Sequence, residues 1–295
     1  MFIFLSVFHF AIVAAVDILD KFLISGKKLL PYTYTFLTMV SGLIMLVAWP
    51  WVYASATLEN IGISMFSGAL FALAYYLFFK ALSEGEVSRV IPFIFGIVPI
   101  FDVLLGLLLN INVLLSNEAA AIFLLVPGAL LIAYKRDFIG KHVGLKIAAA
   151  AVFSIHAVVW QFAAKDGHVL NALMWNRLGA AVFVALFLLV PQIRAQFHLG
   201  LKVKNPKQTS WLFILKQVLG GSAFVLSSYL LATGKISIFS SLQGIRYAII
   251  FAVAIFLTKK YRHILEEDIN SHTLKQKLAG LVLVFIGTAI LFIKL

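Results

Sequence analysis

Ten runs of about twenty predominantly apolar residues follow one another along this 295-residue chain, and they leave few folds open. They lie near 2–18, 30–51, 62–83, 88–110 and 113–134, then near 144–164, 170–191, 209–232, 236–258 and 276–294. A helix of about 20 apolar residues spans the hydrocarbon of a bilayer. The runs are continuous and lack the alternation of a membrane barrel strand. They predict an all-α membrane protein with ten transmembrane helices. Composition excludes a large soluble body: 62% of residues are hydrophobic, 12% are charged and the mean hydropathy is +1.03. A soluble domain carries about a quarter charged residues. So few charges cannot cover a water-facing surface, and the lipid bilayer is the expected partner over much of it. The first run lacks a basic leader and a small-residue cleavage site, so it reads as a span.

The stretch Lys135-Arg136-Asp137-Phe138-Ile139-Gly140-Lys141 divides the runs five and five. The two parts, 1–137 and 142–295, carry a faint repeat. Ala81-Leu82-Ser83-Glu84-Gly85-Glu86-Val87-Ser88 answers Leu230-Leu231-Ala232-Thr233-Gly234-Lys235-Ile236-Ser237, aligning Gly85 with Gly234 and Ser88 with Ser237. An odd number of spans in each part inverts the second relative to the first. Inverted repeats place a site near the bilayer midplane, at their interface.

The net charge of +12 is a property of the loops. Lys27, Lys28, Lys135, Arg136, Lys202, Lys204, Lys259, Lys260 and Arg262 fall in loops after spans 1, 5, 7 and 9. The loops after spans 2, 4, 6 and 8, with both termini, hold only Lys165, Lys235 and Lys294. Cytoplasmic loops collect Lys and Arg, which puts both termini outside and removes any need for a nucleic-acid partner. The charged stretch from Lys259 to Lys277 reads as a solvated loop with a short interfacial helix. The chain has no cysteine, which excludes disulfides and thiolate metal sites.

One stretch resembles a known family. Phe78-Phe79-Lys80-Ala81-Leu82 leads to Val87-Ser88-Arg89-Val90-Ile91-Pro92 and on to Val98-Pro99-Ile100-Phe101-Asp102-Val103-Leu104-Leu105-Gly106. This is similar to the fourth helix of the EamA-type ten-helix transporters of the drug/metabolite transporter superfamily. Pro31, six residues before Leu37, resembles the start of their second helix. The resemblance covers nearly the whole chain. It implies a plasma-membrane, multi-pass secondary transporter with its cavity lined from spans 1, 3, 4, 6, 8 and 9. The family habit is both termini in the cytoplasm, against the charge pattern here. Where the family often has glutamate, this chain has Asn112 and Lys260, and where it often has an arginine it has Leu37 and, in the second half, Arg177.

Ionisable groups deep in a bilayer are costly and face the bundle interior or a water-filled cavity. His9 and His156 stand near the middle of spans 1 and 6, which correspond between the halves. They are expected to line a central cavity, where histidine could couple proton and substrate movement; otherwise they are buried rings bonded to backbone or hydroxyls. Trp160, one turn after His156, is placed to stack on a substrate or to pack. Asp102, three residues after Pro99, is either a coupling carboxylate or the fixed partner of Arg246. Arg246 and Arg177 are the candidates for gripping an anionic group through paired hydrogen bonds, with Gln243 and Tyr76 as further contacts. Ser237, Ser240, Ser241 and Gly244 form a small polar stripe on span 9, suited to close packing. Lys80 shares a face with Tyr76 and is set to pair with Glu84.

No P-loop, nucleophile elbow, metalloprotease helix or dinucleotide turn is present, so no enzyme, metal or cofactor is expected. The expectation is a secondary transporter exporting a small polar metabolite, an amino acid or another carboxylate-bearing solute, by alternating access. Protons or a counter-substrate are the candidate coupling partners. A translocator of lipid-linked sugar or phospholipid, which basic loops would suit, and a membrane-embedded enzyme are the alternatives.

Overall fold

The computed structural model describes residues 2–26, 29–52, 56–109, 116–134, 143–164, 169–201, 206–233, 243–265, 268 and 270–290. Among the described residues every regular element is helical. Helix α1 spans Phe2–Lys21 and runs into a π-helical turn, Phe22–Gly26. Helix α2, Pro31–Ser41, passes through a 3-10 stretch, Gly42–Ala48, into the short α3, Trp49–Val52. Then come α4 (Leu58–Ser83), α5 (Val87–Leu108) and α6 (Ser116–Ala133). The later part has α7 (Val143–Ala163), α8 (Val169–Phe187), α9 (Pro191–Gly200), α10 (Pro206–Thr233), α11 (Gln243–Leu265) and α12 (Ser271–Ile290).

Helices are what apolar runs must form where no water can bond the backbone. Their ends follow local chemistry. Pro31 opens α2 after the extended Leu30, where a missing N–H costs nothing. The Thr57 hydroxyl accepts from the Asn60 N–H at 3.1 Å and caps α4. At the other end of α4, buried Lys21 donates to Leu82 O at 3.0 Å and to Gly85 O at 2.8 Å. A cation on terminal carbonyls satisfies orphan acceptors and complements the negative end of the helix dipole.

Among the described residues seven helical stretches are long and apolar enough to cross a membrane: Pro31–Trp51, Leu58–Ser83, Val87–Leu108, Val143–Ala163, Val169–Phe187, Pro206–Ser227 and Ser271–Ile290. Ala119–Ala133 and Gln243–Thr258 are shorter apolar helices. Exposure runs opposite to that of a soluble protein. Phe4, Trp51, Phe123 and Phe256 are 73%, 80%, 79% and 75% exposed, while Asp17, Asp20, Lys21, Arg89 and Lys277 are buried. Aromatic surface outside and charge inside is the arrangement of a membrane-embedded bundle.

Contacts between helices far apart in sequence set the architecture. Helix α1 packs on α10 and α11, and α7 packs on α4 and α5. Helix α6 lies along α12, and α4 lies along α8. Small residues permit the closest crossings. A Cβ on Gly68 would sit 2.0 Å from Asn176 O, and one on Gly179 would sit 2.2 Å from Met65 O. Likewise a Cβ on Gly280 would meet Gly128 O at 2.7 Å. Gly244 presses α11 onto Val284 of α12 in the same way. The serines at 237, 240 and 241, residues 234–237 of the second copy of the repeat and the 135–141 linker lie outside the described residues.

One sequence expectation is corrected. The stretch from Lys259 to Lys277 is not a solvated loop: α11 continues as helix to Leu265, and α12 begins at Ser271. Lys277 is buried because Glu86 and Ser88 draw it in, with Nζ 3.2 Å from Glu86 Oε2 and 2.6 Å from Ser88 Oγ. Arg89 Nε binds the same Glu86 oxygen at 2.8 Å, and its Nη1 donates to Tyr134 O. One carboxylate thus holds two buried cations from α5 and α12.

Candidate functional site

The last turns of α1 carry Asp17 and Asp20, three residues apart and therefore on one face. That face meets α11 and α10. Arg246, in the first turn of α11, donates through Nε to Asp17 Oδ2 at 2.6 Å and through Nη2 to Asp17 Oδ1 at 2.9 Å. This is the two-pronged geometry in which guanidinium binds carboxylate best. The Arg246 guanidinium also lies over the Phe95 ring, 4.3 Å from its centre. One turn along, Asp20 accepts from the Tyr34 hydroxyl and pairs with Lys216 of α10, Nζ to Oδ1 at 3.3 Å. Lys216 further donates to Gln217 Oε1 at 3.1 Å and faces the Tyr34 ring. All four charged residues are buried.

Arg177 is the fifth charge of this layer, and it is bound differently. It projects from α8 toward the faces of Phe71 on α4 and Phe224 on α10, with Cζ 4.9 Å and 4.5 Å from the ring centres. Its Nε is buried and has no hydrogen-bond partner among the described residues. No described carboxylate pairs with it. It also lies beside Gly42, where α2 tightens into its 3-10 stretch: a Cβ there would be 3.4 Å from Arg177 Cδ. Tyr75 completes the set. Its ring contacts Phe71 at 4.6 Å and Phe79 at 5.4 Å, and Phe79 in turn faces Lys216.

The structure places the other expected residues as follows. His156 Nδ1 lies 3.1 Å from Ser67 Oγ and 3.0 Å from Ser67 O, and Asn176 Nδ2 donates to the same hydroxyl at 3.2 Å. His9 Nδ1 lies 3.0 Å from Ala223 O of α10. Each ring thus engages a backbone carbonyl of a neighbouring helix. Asp102 does not pair with Arg246. It accepts from the Ser154 hydroxyl of α7 while the residue itself is exposed, because Arg246 reaches α1 instead. Trp160 is half-buried on α7, and Gln243 accepts from the Tyr247 hydroxyl at 3.4 Å. Tyr76 packs edge-on against Tyr32 at 6.2 Å, apart from Tyr75, and Lys80 is exposed.

Of the residues expected to form a site, the geometry sets Arg246 against Asp17 and Phe95, sets Arg177 between Phe71 and Phe224, and leaves Asp102 elsewhere. Asp17, Asp20, Lys216 and Tyr75 were not expected there. Ending the first run near residue 18 set Asp17 at its edge and Asp20 beyond it. Extending that run by one turn would have exposed two acids at helical spacing, facing the same way. No protein-family model matches the chain, and no curated protein matches it.

Proposed function

We propose that this membrane protein is a ten-span secondary transporter of the EamA type, built from inverted halves at 1–137 and 142–295. It moves a small polar metabolite, an amino acid or another carboxylate-bearing solute, by alternating access around the layer of buried charge. The observation that carries this reading is that layer itself. Asp17 with Arg246 and Asp20 with Lys216 join residues before the 135–141 linker to residues after it, deep among apolar helices. Buried ionic contacts between two halves are costly to form, and intramembrane charge marks solute or ion pathways.

The pattern of helix neighbours supports two inverted halves. If the spans are numbered in order, the first span of each half packs on the third and fourth of the other: α1 on α10 and α11, α7 on α4 and α5. The histidines follow the same exchange. His9 on the first span engages the third span of the later half, and His156 on the corresponding span engages the third of the earlier half.

Two measurements test the reading. Amino acids, nucleosides, amines and organic acids are screened for thermal stabilisation of the purified protein, and hits are taken to proteoliposome flux. Saturable, protein-dependent movement is expected. Chemical conversion without movement, or headgroup-dependent lipid flipping alone, would reject it. Separately, the gathering of Lys and Arg in the loops after spans 1, 5, 7 and 9 supports termini on the outside, so a C-terminal reporter fusion should be active only on the external face. A cytoplasmic signal would reverse that orientation while leaving the transport reading in place.

A further inference from the structure

The proposed transport reading leaves open which buried group meets the solute, and the two intramembrane arginines are not equivalent in this respect. Arg246 already has both carboxylate oxygens of Asp17. A ligand binding there would have to displace a buried acid that matches the guanidinium in shape and charge. Among the described residues Arg177 has no such partner. Its described neighbours are the faces of Phe71 and Phe224, which attract a cation but accept no ordinary hydrogen bond. Its buried Nε–H is left unmatched, and a buried donor without an acceptor is rare and unfavourable. Tyr75 packs against the same Phe71 ring, with centroids 4.6 Å apart, and no hydrogen bond of its hydroxyl is described.

We propose that Arg177 and Tyr75 form an anion site, and that its ligand is the carboxylate of a singly charged organic acid. Three observations set the class. The guanidinium offers parallel N–H donors, which suit the two oxygens of a carboxylate. Asp17 and Asp20 pair with Arg246 and Lys216, whereas no described carboxylate pairs with Arg177, which leaves its one positive charge in excess. One ligand carboxylate neutralises that excess, whereas a phosphate dianion would overshoot it. The surroundings, Phe71, Phe224 and the bare Gly42, offer apolar surface for a hydrocarbon remainder and no acid to receive an ammonium group. A monocarboxylate therefore fits better than a zwitterionic amino acid, which sharpens the substrate class of the proposed transporter.

The site also sits at a mechanically suitable place. Phe71 and Phe224 come from the third span of each half, and Arg177 and Gly42 come from the second span of each. A ligand that neutralises Arg177 therefore touches matching helices on both sides of the interface. The 3-10 stretch beside Gly42 marks a point where α2 departs from regular helix, as helices do at functional hinges.

The test is equilibrium binding by calorimetry on the purified full-length protein in lipid nanodiscs. The probes are acetate, propionate and benzoate, with propionamide, glycine and inorganic phosphate alongside. At least one monocarboxylate should bind, with the amide, glycine and phosphate at least tenfold weaker. Arg177→Gln should weaken the monocarboxylate at least tenfold, Arg177→Lys less, and Tyr75→Phe severalfold. Arg177→Lys keeps the buried charge, so it reports on the site even if Arg177→Gln fails to fold. Equal binding of propionate and propionamide would overturn the proposal, as would unchanged affinity in a folded Arg177→Gln. So would binding to no monocarboxylate by a protein that moves some other solute. Carboxylate binding without flux in proteoliposomes would instead uphold the anion site and reject the transporter.

Discussion

Asp17→Ala is expected to lower the free energy of unfolding by about 3–5 kcal/mol, because it strands the buried Arg246 guanidinium without its carboxylate. The size follows from the asymmetry of buried pairs. Making one repays most of its desolvation cost, but removing a single partner leaves the other charge in an apolar setting with nothing to meet it. The Phe95 face over Arg246 recovers only part of this, since a cation over a ring contributes about 0.5–2 kcal/mol. The check is the unfolding midpoint in a fixed detergent for Asp17→Ala, Arg246→Met and the double variant. The double variant removes both charges and should regain much of the lost stability, giving a large coupling between the two sites. If the two single changes simply add, the pair is not what holds α1 to α11.

The second large effect is expected at Gly179. Its missing Cβ would lie 2.2 Å from the Met65 carbonyl oxygen and 2.5 Å from Met65 Cα, both backbone atoms that no rotamer change can move aside. Gly179→Val must therefore push α8 away from α4. Overpacking commonly costs about 1–3 kcal/mol, and a backbone clash along a whole helix pair belongs at or above the top of that range. The same displacement would pull Asn176 from Ser67 and loosen the setting of His156. Gly62→Ala and Gly144→Ala give the contrast, for both positions face open space. There the better helix propensity of alanine, about 1 kcal/mol over glycine, should leave stability equal or higher. Equal loss at Gly179 and Gly62 would mean that the α4–α8 crossing does not control stability.

The helical character of the chain was legible in sequence because apolar runs of bilayer length permit little else. The site was only partly legible, and the residues show why. Arg177 and Arg246 stood out as charges inside apolar runs, but nothing in one dimension distinguishes a satisfied arginine from an unsatisfied one. That difference depends on Asp17, more than two hundred residues from Arg246 and close to where its helix had been expected to end. Asp102 looked like the natural partner because it too lies inside a run, yet its side chain finds Ser154. The Tyr-Tyr doublet at 75 and 76 shows the limit in its simplest form. Adjacent residues on a helix point about 100° apart, so Tyr75 packs on Phe71 and Phe79 while Tyr76 meets Tyr32. The charged stretch around Lys277 reads as solvated in sequence because Glu86, which buries Lys277, lies far away in the chain.

The buried ion pairs that cross the molecule have a polarity of their own. In Asp17 with Arg246, Asp20 with Lys216 and Glu86 with Lys277, the acid precedes the 135–141 linker and the base follows it. Neither part contains both members of any of these pairs. Two copies of the earlier part would bring Asp17 and Asp20 without Arg246 and Lys216, and two copies of the later part the reverse. In these pairs the two parts are complementary rather than interchangeable. Carrying both on one polypeptide guarantees that each acidic partner is made with its basic one, in equal numbers and in the same patch of membrane.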